Sequence, residues 1–470
     1  MTSPERELLE ALGQSVRRFA RDRIDAAAID REGRIPAPVL EGLAELGVFG
    51  LSIPERWGGA GFSLGGVCGA VETLARFDRS VATTVGLHLG LGTRGLVAFG
   101  SDSLRGRYLP DLASGRTLAA FAATEPGAGS DLSAIATRAV PIARGRLRVD
   151  GSKIFVTNGG IARIFTIAAA TPGLGGARRG HSLILLERGD AGVRAQGEER
   201  KLGLRGCSTT SLHLERVEVP AARIIGEPGR GMDLMARVLS WGRTLMAAGC
   251  TGAARTALDA AAAHVSGRRQ FGRALSAFEV VRAQIAQMAA VQFAMESLVA
   301  ATCAAEDRPD ELAVRSRVAK IFCSEGDWEI CDLALQLHGG TGFIEDSGLP
   351  LLLRDARITR IFEGANDVLV VAHGVARGEP RMPLDGSQGL QAAAAGAERL
   401  AAAVASVRDE LHARFGIRLV AQQRLLHRLG RLLVLRDSAD AAVLHAGALA
   451  TDEARALATH WVELAWLRAA

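Results

Sequence analysis

Tyrosine is almost missing from this 470-residue chain. It occurs once, and Phe, Trp and Tyr together make up only 4%. Lysine is nearly as scarce, present only at Lys153, Lys201 and Lys320, so the positive charge is almost all arginine. The net charge is +5, with no long Lys/Arg tract and few aromatics to stack on bases, which argues against a nucleic-acid partner. Arginine's bidentate fork does suit phosphate groups on a small ligand. The six cysteines show no C-x-x-C spacing and read as buried or free thiols in a reducing compartment. Long apolar runs are missing too. Long uncharged stretches such as Ser80 to Thr93 and Ile164 to Ala177 carry Gly, Thr or Pro, whereas a spanning helix needs roughly 20 apolar residues. The first residues hold Glu5, Glu7 and Glu10 and no apolar signal core, which sets the expectation of a cytoplasmic protein without signal or transit peptide. No G-x-x-x-x-G-K-[ST] or H-E-x-x-H occurs, and the ten histidines form no metal-ligand cluster. Zinc chemistry loses its usual support.

What is present is a globular composition, 48% hydrophobic and 23% charged, with 55 glycines and a mean hydropathy of +0.15. Residues 1–120 read as helical. Leu8, Leu9, Leu12, Val16 and Phe19 follow a helical period, and Pro36 and Pro38 introduce a second helix that ends near Gly47. Residues 121–230 change to strands rich in Val, Ile, Leu and Thr: Arg146–Val149, Lys153–Thr157, Arg163–Ala168, Ser182–Glu187 and Ser211–Val219. Asp150-Gly151 predicts a hairpin turn between the first two. Long helical segments return from Met232, over residues 231–378. Residues 379–470 then read as a linker and an Ala/Leu/Arg-rich helical tail, the Gly/Pro-bearing linker stretch running over 377–389.

Five segments carry candidate chemistry. Phe121-Ala-Ala-Thr124-Glu125-Pro-Gly127-Ala-Gly129-Ser130-Asp131 sits where helix gives way to strand. Its glycines let backbone N–H groups approach an anion and its hydroxyls add donors, although an ordinary polar loop fits as well. Lys153-Ile-Phe155-Val156-Thr157 places an aromatic and a hydroxyl two residues apart, on one strand face where a flat cofactor could lie; a half-buried strand is the plainer reading. Arg268-Arg-Gln-Phe271-Gly272 follows a long helix, whose dipole favours arginine with or without a ligand. Gln336-Leu337-His338-Gly339-Gly340 is a helix end with a tight loop. In Phe362-Glu363-Gly364-Ala365-Asn366-Asp367, a carboxylate beside an aromatic and a flexible glycine can be a general base with a raised pKa, or a surface Glu opening the next helix. A sixth match, Gly90-Leu-Gly92-Thr-Arg-Gly95, lacks the strand before it that a dinucleotide fingerprint requires. Close packing, or room for a ligand chain, is the better reading.

Together and in this order, the five segments resemble the acyl-CoA dehydrogenases, over residues 1 to about 375. The resemblance implies an α+β multidomain protein: a helical N-terminal domain, a middle β-barrel-like domain, a C-terminal four-helix bundle and here an extra helical C-terminal extension. The likeness is nearest to the very-long-chain branch, in which glycines widen the acyl cavity; Gly86, Gly90 and Gly92 fall in the corresponding helix. By that resemblance Phe121, Thr124, Gly129, Ser130, Phe155, Val156 and Thr157 would hold the isoalloxazine and ribityl part of FAD. Arg268, Phe271, Gln336, Leu337, His338, Gly339 and Gly340 would hold its pyrophosphate and adenosine half from a neighbouring subunit, and Ala365, Asn366 and Asp367 would complete that site. Ser130, Ser240, Arg243 and Gly364 would touch the CoA thioester, and Glu363 would be the catalytic base. Two residues depart from the family pattern: Ala365 stands where Thr is usual, and Phe155 where Trp is usual. Gly242 occupies the position that supplies the base in other branches, which leaves Glu363.

The implied reaction is α,β-dehydrogenation of a long-chain fatty acyl-CoA to the trans-2-enoyl-CoA in fatty acid β-oxidation, with hydride passing to flavin N5. An electron-transferring flavoprotein would take the electrons. The tail would favour a homodimer over the alternative homotetramer, and could touch a membrane peripherally. The competing readings are an acyl-CoA oxidase or flavin monooxygenase on the same scaffold, or a non-catalytic assembly or binding protein.

Overall fold

The computed structural model describes residues 3–176, 180–375, 381–382, 384 and 389–470. They fall into two compact units, Met1–Gly249 and Cys250–Ala470.

The first unit opens with helix Ser3–Arg23, which buries Val16 and Ala20. The Pro36-primed helix forms over Ala37–Glu45, and Gly47 follows it in the left-handed conformation. Helices Leu64–Ala75, Arg79–Leu87 and Asp102–Ala113 each start at a side-chain cap. Ser63, Asp78 and Ser101 accept from the backbone N–H of Gly66, Val81 and Leu104, groups the helix itself leaves without partners. Between the last two, His88–Gly92 is a π-turn inside a continuous helical stretch, so the Gly90–Gly95 match is helical as expected.

Eight strands build one sheet: β1 (Ala119–Ala122), β2 (Arg138–Ile142), β3 (Arg146–Thr157), β4 (Ile164–Ala170), β5 (His181–Glu187), β6 (Val193–Ala195), β7 (Thr209–Pro220) and β8 (Ile224–Ile225). Their order is β6-β7-β3-β2-β4-β5-β8, with β1 added in parallel to β4; among the described residues the path does not close into a barrel. The expected hairpin at Asp150-Gly151 is corrected. β3 runs straight through it and stays paired with β7 on both sides, with a register shift between Val149 and Gly151. The pair makes a bulge instead: the Asp150 carboxylate accepts from the Arg216 N–H at 2.7 Å, and any side chain at Gly151 would collide with Thr137. The real hairpin lies one turn earlier, where Arg144 and Gly145 take left-handed conformations between β2 and β3.

Helix Gly231–Gly267 starts in the first unit and ends in the second. In the second unit its last turns meet Glu279–Cys303, where Arg255 pairs with Glu296 and Gln292 donates to the Thr251 carbonyl. Helices Pro309–His338, Leu349–Thr359 and Asn366–Val375 follow. Helix Glu279–Cys303 is long and apolar enough to cross a membrane, although no such segment was expected; most of its apolar stretch is buried among neighbouring helices.

The tail forms three helices, Gln391–Phe415, Gln423–Leu449 and Asp452–Ala469, all packed within the second unit. Gly374 and Gly430 let two helices touch backbone to backbone: a side chain at Gly430 would meet the Val370 carbonyl, and one at Gly374 the Leu426 carbonyl. Trp461 is fully buried, donates to Ser438 Oγ at 3.2 Å and meets Phe322 edge-on. Arg468 forks onto Glu329. Most of the expected linker, with the 378/379 boundary, lies outside the described residues. Arg381 within it pairs with Asp440 and Glu398.

Candidate active site

In the first unit the structure brings two of the sequence segments together. β1 carries buried Phe121 into the loop of Thr124, Gly129 and Ser130, and the Thr124 carbonyl accepts from the Ile154 N–H of β3 at 2.9 Å. Beneath them lies an ion pair that sequence reasoning missed. Lys153, fully buried, donates to Glu125 Oε1 at 2.6 Å and to the Ala123 carbonyl at 3.0 Å. The same carboxylate accepts from the Ala136 and Thr137 N–H groups. Burial opposes the Glu125 charge, yet the bonds from Lys153, Thr137 and Ala136 hold its carboxyl below the usual range. Burial brings the Lys153 ammonium down to about 8 against the opposing pull of Glu125. The pair locks the loop to β3 and β2, which leaves Gly127 and Gly129 with open space beside them.

His88 fixes β1 from the other side. Its Nδ1 accepts the Ala119 N–H at 3.1 Å, which leaves Nε2 to donate to the Phe49 carbonyl at 3.1 Å. Complete burial lowers its pKa to about 4, so the ring is neutral.

The strand that carries Phe155 and Thr157 is irregular. A bulge between Lys153 and Val156 breaks the two-residue alternation. Phe155 sits there with a φ of 55° and is 63% exposed. Val156 points into the sheet core, so only its backbone could face a ligand, and Thr157 is half-buried. Ser240 is also buried, with its hydroxyl donating to the Ala236 carbonyl; Arg243, one turn on, is half-buried. Gly90 and Gly92 are packing residues. A Cβ at Gly92 would lie 2.9 Å from the Ala119 Cβ, and one at Gly90 3.0 Å from Leu245, so neither missing side chain leaves a channel.

The second unit gathers the remaining segments. His264 stacks on His338 with ring centroids 4.1 Å apart, which joins the helix end carrying Arg268 to the one carrying Gln336, Leu337 and Gly339–Gly340. Burial and the nearby His338 and Arg268 charges lower the His264 pKa. Arg268 and Gln336 are exposed, and nothing fills the space beside Gly339 and Gly340. Phe271 tips a two-stranded hairpin with a φ of 52° and is 91% exposed.

Glu363 is half-buried in the turn after helix Leu349–Thr359, with a φ of 55°, followed by Gly364 at 103°. Lys320, also missed from sequence, donates to the Gly364 carbonyl at 2.7 Å and to Asn366 Oδ1 at 2.6 Å. Asn366 is buried, and its amide donates to Ser324 and Glu325, so its side chain is engaged inside the protein. Ala365 is half-buried and its carbonyl starts the next helix. Asp367 is exposed and meets His427 of the tail at 3.2 Å. The signal that could have found Lys153 and Lys320 was their rarity in an arginine chain. Among the described residues no His, Cys, Asp and Glu cluster could hold a metal.

Three models of one family match in order. The acyl-CoA dehydrogenase N-terminal domain covers residues 6–116, the middle domain 120–217 and the C-terminal domain 229–374. The very long-chain specific acyl-CoA dehydrogenase, mitochondrial, of Mus musculus is 36% identical over 375 residues, 78% of this chain and 57% of that protein. The chain thus spans little more than half the length of that relative. An acyl-CoA dehydrogenase of Bacillus subtilis is 35% identical over 356 residues, 75% of this chain and 93% of its own. Among solved structures, acyl-CoA dehydrogenase complexed with FAD from Bacillus anthracis superposes with a TM-score of 0.88 at 26% identity, covering 100% of this chain and 87% of that one. Butyryl-CoA dehydrogenase from Megasphaera elsdenii reaches 0.74 at 30% identity, over 79% of this chain and 97% of that one. The chain belongs to the acyl-CoA dehydrogenase family.

Proposed function

We propose that this protein is an FAD-dependent acyl-CoA dehydrogenase that converts a long-chain acyl-CoA to its trans-2-enoyl-CoA, with Glu363 as the base. The observation that carries the reading is Glu363 itself: a carboxylate held on a left-handed backbone between an aromatic and a glycine, within the matched C-terminal domain. Residues outside helix and strand interiors keep such a conformation only where their surroundings impose it.

The residues present suit a flavin. An exposed aromatic at Phe155, open glycines at 127 and 129, and the locked Thr124–Ser130 loop offer a flat face beside hydroxyl and N–H donors. Arg268, Phe271 and Gly339–Gly340 would hold the diphosphate half. FAD, when bound, supplies the acceptor for the hydride leaving the β-carbon. Glu363 takes the proton from the carbon α to the thioester carbonyl. That proton is weakly acidic, so the developing enolate oxygen needs a donor, which the family resemblance assigns to the Glu363 N–H. Water excluded around the carboxylate would bring its basicity to where proton transfer is efficient.

The long-chain preference is supported by the similarity to very long-chain relatives and no longer by Gly90 or Gly92. The partners proposed are an electron-transferring flavoprotein and a second copy of the chain, in a homodimer. A second reading, an oxidase on this scaffold, has one relative in its favour: the prolyl acyl carrier protein oxidase AnaB, whose structure superposes at a TM-score of 0.74 with 25% identity. Glu363→Gln is expected to keep bound FAD and acyl-CoA binding while losing turnover by about a thousandfold or more. Wild-type turnover of palmitoyl-CoA by that variant would sink the assignment, and steady peroxide formation by the wild type would favour the oxidase.

A further inference from the structure

The three lysines stand among 56 lysines and arginines in all, and each binds a backbone carbonyl. Lys153 reaches Ala123, Lys201 reaches Cys207 and Lys320 reaches Gly364. Lys153 and Lys320 are fully buried. A guanidinium brings five donors in a planar fork, too many to satisfy in a dry site with two acceptors. An ammonium is compact and can aim its donors at separate acceptors. Lysine therefore remains here at points where a cation must enter the core and hold a loop.

We infer that Lys320 is a positioning residue for Glu363, acting through the Gly364 carbonyl and Asn366. This rests on the reading of Glu363 as the base. The turn has two consecutive left-handed residues, Glu363 and Gly364, so its geometry must be imposed from outside. Lys320 Nζ grips it immediately after the base, at the Gly364 oxygen 2.7 Å away, and two residues further on at Asn366 Oδ1, 2.6 Å away. Asn366 passes the restraint back to the helix that carries Lys320, donating to Ser324 at 2.9 Å and to Glu325 at 2.7 Å. The carboxylate thus sits on a turn fastened at both acceptors to one rigid helix, Pro309–His338.

The test compares Lys320→Met, Asn366→Ala, their combination and Glu363→Gln as FAD-loaded proteins, with palmitoyl-CoA and an artificial electron acceptor. Lys320→Met is expected to lower kcat at least about tenfold while KM stays within about twofold, because a misplaced base loses rate and leaves binding intact. Asn366→Ala is expected to lower kcat less, by about threefold or more. The double variant should be no slower than Lys320→Met alone, as residues acting in one chain are non-additive. A kcat within about twofold of wild type in Lys320→Met, or losses that multiply in the double variant, overturns the inference. If Lys320→Met yields no folded flavoprotein, Asn366→Ala decides alone: a threefold loss at constant KM supports the inference, and an unchanged kcat overturns it. An active Glu363→Gln defeats the assignment of the base itself, and an inactive one beside a normal Lys320→Met defeats only the role of Lys320.

Discussion

Among the described residues eight that are not glycine carry positive φ, and several of them, such as Arg144, Leu204, Arg216 and Ala450, lie outside every candidate segment. Phe155, Phe271 and Glu363 all carry positive φ without being glycine, and each lies in a segment that the sequence had already singled out. A left-handed L-residue costs roughly 1–2 kcal/mol. Phe271 is the clearest case, because its ring is 91% exposed and has only an edge contact with Phe278. Phe271→Gly is expected to leave the melting temperature of the FAD-free protein unchanged or higher, while FAD binds several-fold more weakly. Titration of the stripped protein with FAD, beside a thermal melt, checks both. A lower melting temperature with full FAD affinity would mean that Phe271 serves stability alone. The family resemblance singles out Glu363 and Phe271; residue types alone leave a surface Glu and an ordinary helix end as open readings. Lys320 was not legible as their partner. It lies 44 residues before Gly364, and only the fold brings the two together. Nor was the bonding of the Asn366 amide to the helix of Lys320 legible, since it too spans more than forty residues.

Among the elements, the sheet of the first unit depends on how β1 is anchored. His88 holds its first N–H from within a π-turn and must be neutral to accept it. In the unfolded chain the imidazole has its ordinary pKa of about 6.5; in the fold, burial lowers it to about 4. Between those values the unfolded chain binds a proton and the folded chain does not, so this contribution to stability is present above pH 6.5 and is lost as pH falls toward 4. The loss amounts to about 3 kcal/mol. Urea unfolding between pH 7 and pH 4 should show this decline in wild type and a decline smaller by that amount in His88→Gln. Equal declines in the two proteins would contradict the anchoring role. Helices were well read from sequence because their apolar period is long and repeated. The long helical segments expected from Met232 onward form as Gly231–Gly267, Glu279–Cys303 and Pro309–His338. Strand irregularities were not. Asp150-Gly151 has the composition of a hairpin turn, but the chain uses it as a bulge because β7 pairs across both halves of β3. The second bulge, between Lys153 and Val156, shifts the alternation so that Val156 is buried and Phe155 is exposed.

For the molecule as a whole, the many glycines have two separate uses. Glycine serves open loops at 127, 129, 339 and 340, and close packing at 90, 92, 374 and 430. The positive mean hydropathy reflects long buried helices, including those of the tail, whose Trp461 and Arg468 fasten it to the second unit. The order of the family domains was legible from the succession of helical, strand-rich and helical zones together with the five motifs of the middle and C-terminal parts; the acyl group was not, since Gly90 and Gly92, which suggested a wide cavity, are packed against protein. The measurement that bears most directly on the proposed dehydrogenase is anaerobic bleaching of the FAD-loaded protein by a series of acyl-CoAs from butyryl to beyond palmitoyl. The account predicts loss of the oxidised flavin absorbance with saturated acyl-CoAs, fastest for the long chains, and no bleaching in Glu363→Gln. A protein that takes up FAD but is bleached by none of these thioesters would contradict it.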